Sequence, residues 1–237
     1  VYGWPFAPMP METLIRASHR MGIRAMDVGK DHYPLLKELG MMVMMVSAHG
    51  FKIGPLNREN HPFCIERLRS AIDTAVQWGS PHVITFTGMR EKGITDEQAA
   101  QNCVDCWKQV AGYAEEKGIN MCLEILNSRD DTHPMKGHPG QFGDDVDLCI
   151  DMIRRVDSPR MKLLFDVYHV QVMNGDIIRR IRQYNEYIGH YHVAGCPGRG
   201  EPDDTQELNV PAILRAILET GYTGHVSQEF IPTWPDK

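Results

Sequence analysis

Short apolar runs of strand character recur along this chain, each followed by a longer stretch of helical period. This alternation restricts the possible folds more than any other feature. The runs are VYGWPF (1–6), RAMDV (24–28), VMMVSA (43–48), HVITFTG (82–88), NMCLEIL (120–126), MKLLFDVY (161–168), IGHYHVAG (188–195) and GHVSQEF (224–230). Between them the spacing predicts helices over roughly 11–21, 31–39, 62–78, 95–117, 143–155, 175–186 and 209–220. Gly22, Gly40, Gly79, Gly118 and Gly221 stand just before the next strand, where a helix C-terminus favours a left-handed residue. Repeated β-α steps with no GxGxxG or Walker loop favour a closed (β/α)8 TIM barrel over a doubly wound open sheet. Only IPTWPDK follows the eighth run, so the barrel's last helix is expected to be missing or truncated. No linker or low-complexity segment divides the chain, so residues 1–237 read as one domain.

Composition excludes several classes of partner. The net charge of −6 disfavours nucleic acid and anionic membrane, both of which select a basic surface. No apolar run approaches the ~20 residues that span a bilayer. The six cysteines do not form a secreted disulfide pattern; Cys122 and Cys149 sit in apolar runs, and the Cys103–Cys106 CxxC lies in a helical stretch without a second pair. A cytoplasmic protein is the expectation. The chain opens at Val1 directly in strand-like sequence, which leaves open a targeting segment trimmed ahead of it.

The stretch LLFDVYH (163–169) poses the chemical question: an apolar strand ends in Asp166 and His169. Such groups cost several kcal/mol if buried unpaired. Glu124 in CLEIL, His192 in HYHVAG and Glu229 in SQEF occupy the corresponding ends of other strands, with one strand–helix–strand unit between each and the next. Parallel barrel strands bring all four to one mouth. Any one alone reads better as a helix cap or a satisfied core polar group; four on consecutive strands reverse that balance and favour a shared role. Three carboxylates and one imidazole in a cavity repel unless a cation joins them, and this oxygen-rich set suits Mn2+, Mg2+ or Co2+.

Other residues are placed around that mouth. Strict alternation puts His169 on the face opposite Asp166, so it is expected to turn back over the pocket as a substrate contact. His190 reads as a layer residue of the barrel interior. The long loop 127–141 carries His133, Lys136 and His138, any of which would cover the pocket. Arg199, in the Gly- and Pro-rich loop 195–204, suits a carboxylate, phosphate or sugar hydroxyl. Trp4, His49 and Thr87 sit near strand ends and are candidates to line the cavity. The run MMVMM (41–45) reads as gap-filling strand sequence.

The segments LEILNS, LLFDVYHVQVMNGDIIRRI, YIGHYHVAGCPGRGEPDDTQELN and SQEFIPT resemble the xylose isomerase-like barrel superfamily, and most of all the hydroxypyruvate isomerase family and its ketose 3-epimerase relatives. The likeness runs from about Asn57 to Thr233. It implies a divalent metal held by Glu124, Asp166, His192 and Glu229. It also implies that the two glutamates exchange protons with the substrate while His169 and Arg199 contact its oxygens. Hydroxypyruvate isomerases often carry Gln where this chain has His192, whereas the epimerase branch carries His. That departure favours a sugar or sugar-like ketone over hydroxypyruvate itself. Members of the family often associate into homo-oligomers, and nothing in the sequence locates an interface.

These residues together predict an isomerase or epimerase of carbohydrate metabolism. It would act on a small sugar or keto acid by proton transfer through an enediolate. The alternatives are a lyase or dehydratase using the same chemistry, an endonuclease IV-like phosphodiester hydrolase, and a sugar-binding barrel without turnover.

Overall fold

Pro5, Pro8 and Pro10 crowd the first predicted strand, and proline donates no ladder hydrogen bond. In the computed structural model, which describes residues 2–233, that strand accordingly shrinks to one paired position: Tyr2 bridges in parallel to Asp27, and Trp4–Phe6 coils into a 3-10 turn. Val1, and residues 234–237 where the missing final helix was expected, lie outside the described residues.

The remaining strands fall on the predicted runs, with β2 starting one residue ahead of its run: β1 (Ala25–Met26), β2 (Met42–Val43), β3 (Met45–Ser47), β4 (His82–Thr85), β5 (Asn120–Glu124), β6 (Met161–Asp166), β7 (Ile188–Val193) and β8 (Val226–Gln228). β1 pairs with β2, and β3 through β8 form a six-stranded sheet in chain order, all parallel. Only Met44 separates β2 from β3, and its amide donates to the Met26 carbonyl, so the third predicted strand is one line of chain. Tyr2 supplies the closure. Its N–H donates to the Gln228 carbonyl at 3.2 Å, and the next amide, Gly3, donates to Asp27 at 2.9 Å. The ring is therefore a TIM barrel joined edge to edge, which removes exposed sheet edges.

Helices α1 (Met11–Arg20), α2 (Tyr33–Glu38), α3 (His61–Trp78), α4 (Asp96–Lys117), α5 (Val146–Val156), α6 (Val167–Met173), α7 (Ile177–Tyr184) and α8 (Val210–Glu219) surround it. Gly79 and Gly118 stop α3 and α4 at φ of 70°. The sequence did not separate α6 from β6; the strand ends at Asp166 because that residue caps the helix.

Alternation sorts the strand side chains into two layers. Met121, Leu123, Leu163, Phe165, Tyr191 and Val193 face the helices and join the main core. Their neighbours Cys122 and Leu164 face inward, with Met45, Ile84, Phe86 and Leu126, as a smaller interior cluster. Trp107 of α4 is fully buried, and its indole N–H reaches Thr85 Oγ1 at 3.2 Å, which ties the longest helix to the sheet. All six cysteines are buried and free. A capping box starts α4: Gln98 N–H donates to Thr95 Oγ1 and Thr95 N–H to Gln98 Oε1. Thr95→Ala is expected to cost about 1 kcal/mol. Calorimetry should show this as a drop in Tm of about 2–4 °C.

Candidate active site

The ladder register sets the site. Glu124 lies beside Leu164, and Asp166 beside His192. Glu124, Asp166, His190, His192 and Ser227 share the inward face, and Glu229, two residues past Ser227, continues it. His190 gives Nε2 to Ser227 Oγ at 3.0 Å, the layer role expected of it.

The four strand-end residues converge. One ligand atom from each of Glu124, Asp166, His192 and Glu229 lies within 4.8 Å of all the others, and all four residues are buried. His192 Nδ1 sits among the carboxylates, 2.8 Å from Glu229 Oε2, 3.2 Å from Glu124 Oε1 and 3.9 Å from Asp166 Oδ2. Asp166 uses its two oxygens differently. Oδ1 accepts the amides of Tyr168 and His169, at 2.8 and 3.1 Å, as the N-cap of α6. Oδ2 faces Arg199 Nη2 at 3.2 Å. Asp166 therefore caps α6 with one oxygen and turns the other to the cluster.

Arg199 is fully buried and bridges Asp166 to Glu229, the latter at 2.6 Å. It also holds the long loop, since Nη1 donates to the Met135 carbonyl at 2.6 Å. Its backbone stands at φ 58°, a strained position for a residue with a side chain. Trp4 lies under the guanidinium and donates its indole N–H to Glu229 Oε1 at 3.0 Å. His169 lies wholly buried in α6. Its Nδ1 faces the backbone and side-chain N–H groups of Asn127, at 3.1 and 2.7 Å. That network assigns the proton to Nε2. Nε2 has no partner; it lies 3.7 Å from Asp166 Oδ2. Arg199 Nε and His192 Nε2 are likewise buried without a hydrogen-bond partner among the described residues.

A cavity of ≈ 390 Å³ opens over the cluster, bordered by Glu124, Glu229, Arg199, Trp4 and His138. From the long loop His138 and Met135 border it; His133 turns to solvent and caps its own loop by accepting the Met135 amide. Two sequence candidates do other work. Both nitrogens of His49 are engaged, Nε2 with Thr85 Oγ1 and Nδ1 with the Gly50 carbonyl, so the expected substrate contact is not available there. Thr87 Oγ1 accepts from Gln141 Nε2 and the Gly143 amide, and so fixes the end of the long loop. Asn127, Tyr2 and Asp27 went unnoticed in the sequence. Asp27 had a detectable signal: it ends an apolar strand as Asp166 does.

Burial and mutual repulsion set the electrostatics. Burial, followed by Glu229, pushes the Glu124 carboxyl up to about 7. Burial also raises Asp166 above the usual carboxylate range, against the pull of Arg199 and His192. For Glu229 burial is outweighed by Arg199 and His192, which bring it down to about 2. Burial disfavours charge on His192, but Glu229 and Glu124 hold the imidazole up to about 10. Burial, helped by Arg199, keeps His169 neutral, far below its ordinary value. With His192 neutral, three carboxylates face one guanidinium and two negative charges stand uncompensated. A divalent cation balances that surplus, and the donor set of three carboxylates and one imidazole fits one.

A family model described as xylose isomerase-like TIM barrel matches residues 12–236. A Homo sapiens protein provisionally named hydroxypyruvate isomerase is 27% identical over 235 residues, covering 97% of this chain and 77% of that one. Among solved structures, an AP endonuclease, family 2, from Brucella melitensis superposes with a TM-score of 0.83 at 22% identity, covering 97% of this chain and 90% of that one. D-psicose 3-epimerase with D-tagatose from Clostridium cellulolyticum H10 does so with a TM-score of 0.77 at 18% identity, covering 97% and 83%. At these identities the two structures speak for the fold.

Removing Arg199 leaves two buried carboxylates facing each other. Arg199→Met is expected to lower stability by about 3–5 kcal/mol at pH 7. Glu229, held at about 2 in the fold, contributes stability above its unfolded value of about 4.3 and loses it as pH falls through 2. Chemical denaturation should therefore show the gap between wild type and variant shrinking below about pH 4.

Proposed function

The chain belongs to the xylose isomerase-like TIM barrel family, and on that premise we propose that it is a divalent-metal-dependent isomerase or epimerase of a sugar-like ketone. The convergence of Glu124, Asp166, His192 and Glu229 in one buried cluster at the cavity floor carries this reading. The isomerase name of the human relative and the epimerase among the fold neighbours support it. A divalent ion held by those four residues supplies, when bound, Lewis-acid stabilisation of negative charge on the substrate's carbonyl oxygen.

This chain's own groups move the proton. Glu124 and Glu229 reach the centre from strands separated by β6 and β7, and their environments push their acidities apart. Two carboxyl groups separated in this way divide into an acid and a base. In the free protein Glu229 is ionised and suited to take the C–H proton next to the carbonyl. Glu124 stands on the other side of the centre and is suited to return one after it has taken a proton from solvent. The reverse reaction exchanges the roles. A proton returned to the same carbon from the other face gives epimerisation; one delivered to the adjacent carbon gives isomerisation. Arg199 Nε–H and His169 Nε2–H, unpartnered among the described residues, are suited to hold the substrate's oxygens; Arg199 and His138 border the cavity, and His169 lies buried beside Asp166 Oδ2. The single imidazole in the cluster and the net charge of −6 favour this chemistry over phosphodiester hydrolysis.

Glu124→Gln and Glu229→Gln should each keep the fold and reduce solvent deuterium uptake at the substrate carbon by about 10²–10⁴-fold. Normal exchange in both would remove the proton-transfer assignment. Ligation requires His192 neutral and Glu124 ionised, yet both hold their protons near neutral pH in the free protein. Mn2+ binding should therefore release protons at pH 7, and its affinity should rise between about pH 6 and 9. Calorimetric titration in buffers of different ionisation enthalpy reads both; heats independent of buffer would contradict it.

A further inference from the structure

A buried carboxyl on the far side of the same cavity has no partner. Asp27 follows β1, halfway round the ring from β6 and its Asp166. Met26 packs outward into the main core, so alternation turns Asp27 inward. Its backbone is fixed by the bridge to Tyr2 and the bond from Gly3. The residue is 6% exposed, it borders the cavity, and neither carboxyl oxygen has a hydrogen-bond partner among the described residues. Such a group is costly to keep unless something else satisfies it. Burial pushes the acid up to about 7, in keeping with that cost.

We propose that Asp27 receives hydroxyl groups at the end of the substrate remote from the reacting carbons, and that the substrate is therefore a neutral polyhydroxylated ketone rather than a short keto acid. This inference rests on the proton-transfer reading above and narrows its substrate class. Two neighbouring hydroxyls offer the donors that the two oxygens of Asp27 lack. A keto acid would instead bring another negative charge into a barrel mouth that already holds Glu124, Asp166, Glu229 and Asp27 against Arg199. Lys30 also borders this side, but it is exposed and turned to Thr74 Oγ1 at 3.4 Å. The cavity volume of ≈ 390 Å³ lies within the range of small-molecule sites, roughly 300–1,000 Å³.

The test compares long and truncated probes on the Mn2+-loaded protein. D-fructose, D-tagatose and L-ribulose serve as long ketoses. Dihydroxyacetone presents the same reacting group without the remote hydroxyls. Solvent deuterium uptake gives kcat/KM for each in wild type, Asp27→Asn and Asp27→Leu. Both variants should lower kcat/KM for the best ketose about 10- to 100-fold relative to dihydroxyacetone. Because they remove an unpartnered buried carboxyl, Tm should hold or rise. An equal loss on both kinds of probe, no loss on either, or a Tm several degrees lower would overturn the assignment and make Asp27 a structural residue. Faster wild-type exchange on hydroxypyruvate than on any ketose would overturn the substrate class and leave proton transfer standing. No wild-type exchange on any probe would remove the proton-transfer reading and this inference with it.

Discussion

Alternation of side chains along parallel, hydrogen-bonded strands is the constraint on which the rest of this molecule depends. In a closed ring it leaves no freedom: residues one apart must face the helices or the axis. β5, β6 and β7 therefore place leucines, phenylalanine and tyrosine outward at the same steps where they place Glu124, Asp166 and His192 inward. A slip of one residue in any strand would exchange core for site. The ladder pairing of Asp166 with His192 is thus as much a part of the chemistry as the residues themselves.

Electrostatics then decide how the cluster is held. Arg199 joins Asp166, Glu229 and the Met135 carbonyl, so one guanidinium fastens the carboxylates and the long loop together. It does so from a strained left-handed backbone position, a cost that its ion pairs offset. In the free protein the imidazolium of His192 supplies the second positive charge between the two glutamates. The site is thus an anionic pocket partly neutralised from within, and a bound dication would take over that role while returning His192 to its neutral form.

The cavity has a mixed wall. Ile84, Phe86 and Leu126 of the interior cluster border it together with Glu124, Glu229, Arg199 and Asp27. Apolar lining holds a carbon chain without selecting it strongly, whereas unpaired polar groups reject molecules that cannot satisfy them.

Much of this was legible locally. The strand-like runs, their helical connections and the strand-end identities of Glu124, Asp166, His192 and Glu229 follow from periodicities of two and 3.6 residues, which the covalent geometry of neighbouring residues imposes. Those signals also supported the barrel, while the family likeness rested on segments such as LLFDVYH and HYHVAGCPGRGEPDD. Non-local facts were hidden. Tyr2 closes the ring between Gln228 and Asp27; His49 turns to Thr85; Trp4 reaches Glu229; His169 folds back in a helix that Asp166 itself caps. The sequence by itself determined that Glu124, Asp166, His192 and Glu229 end their strands at the barrel mouth. Only the tertiary structure decided that these four meet there and that Asp27 is left without a hydrogen-bond partner among the described residues, because partnership across a ring depends on register and closure between segments far apart in the chain.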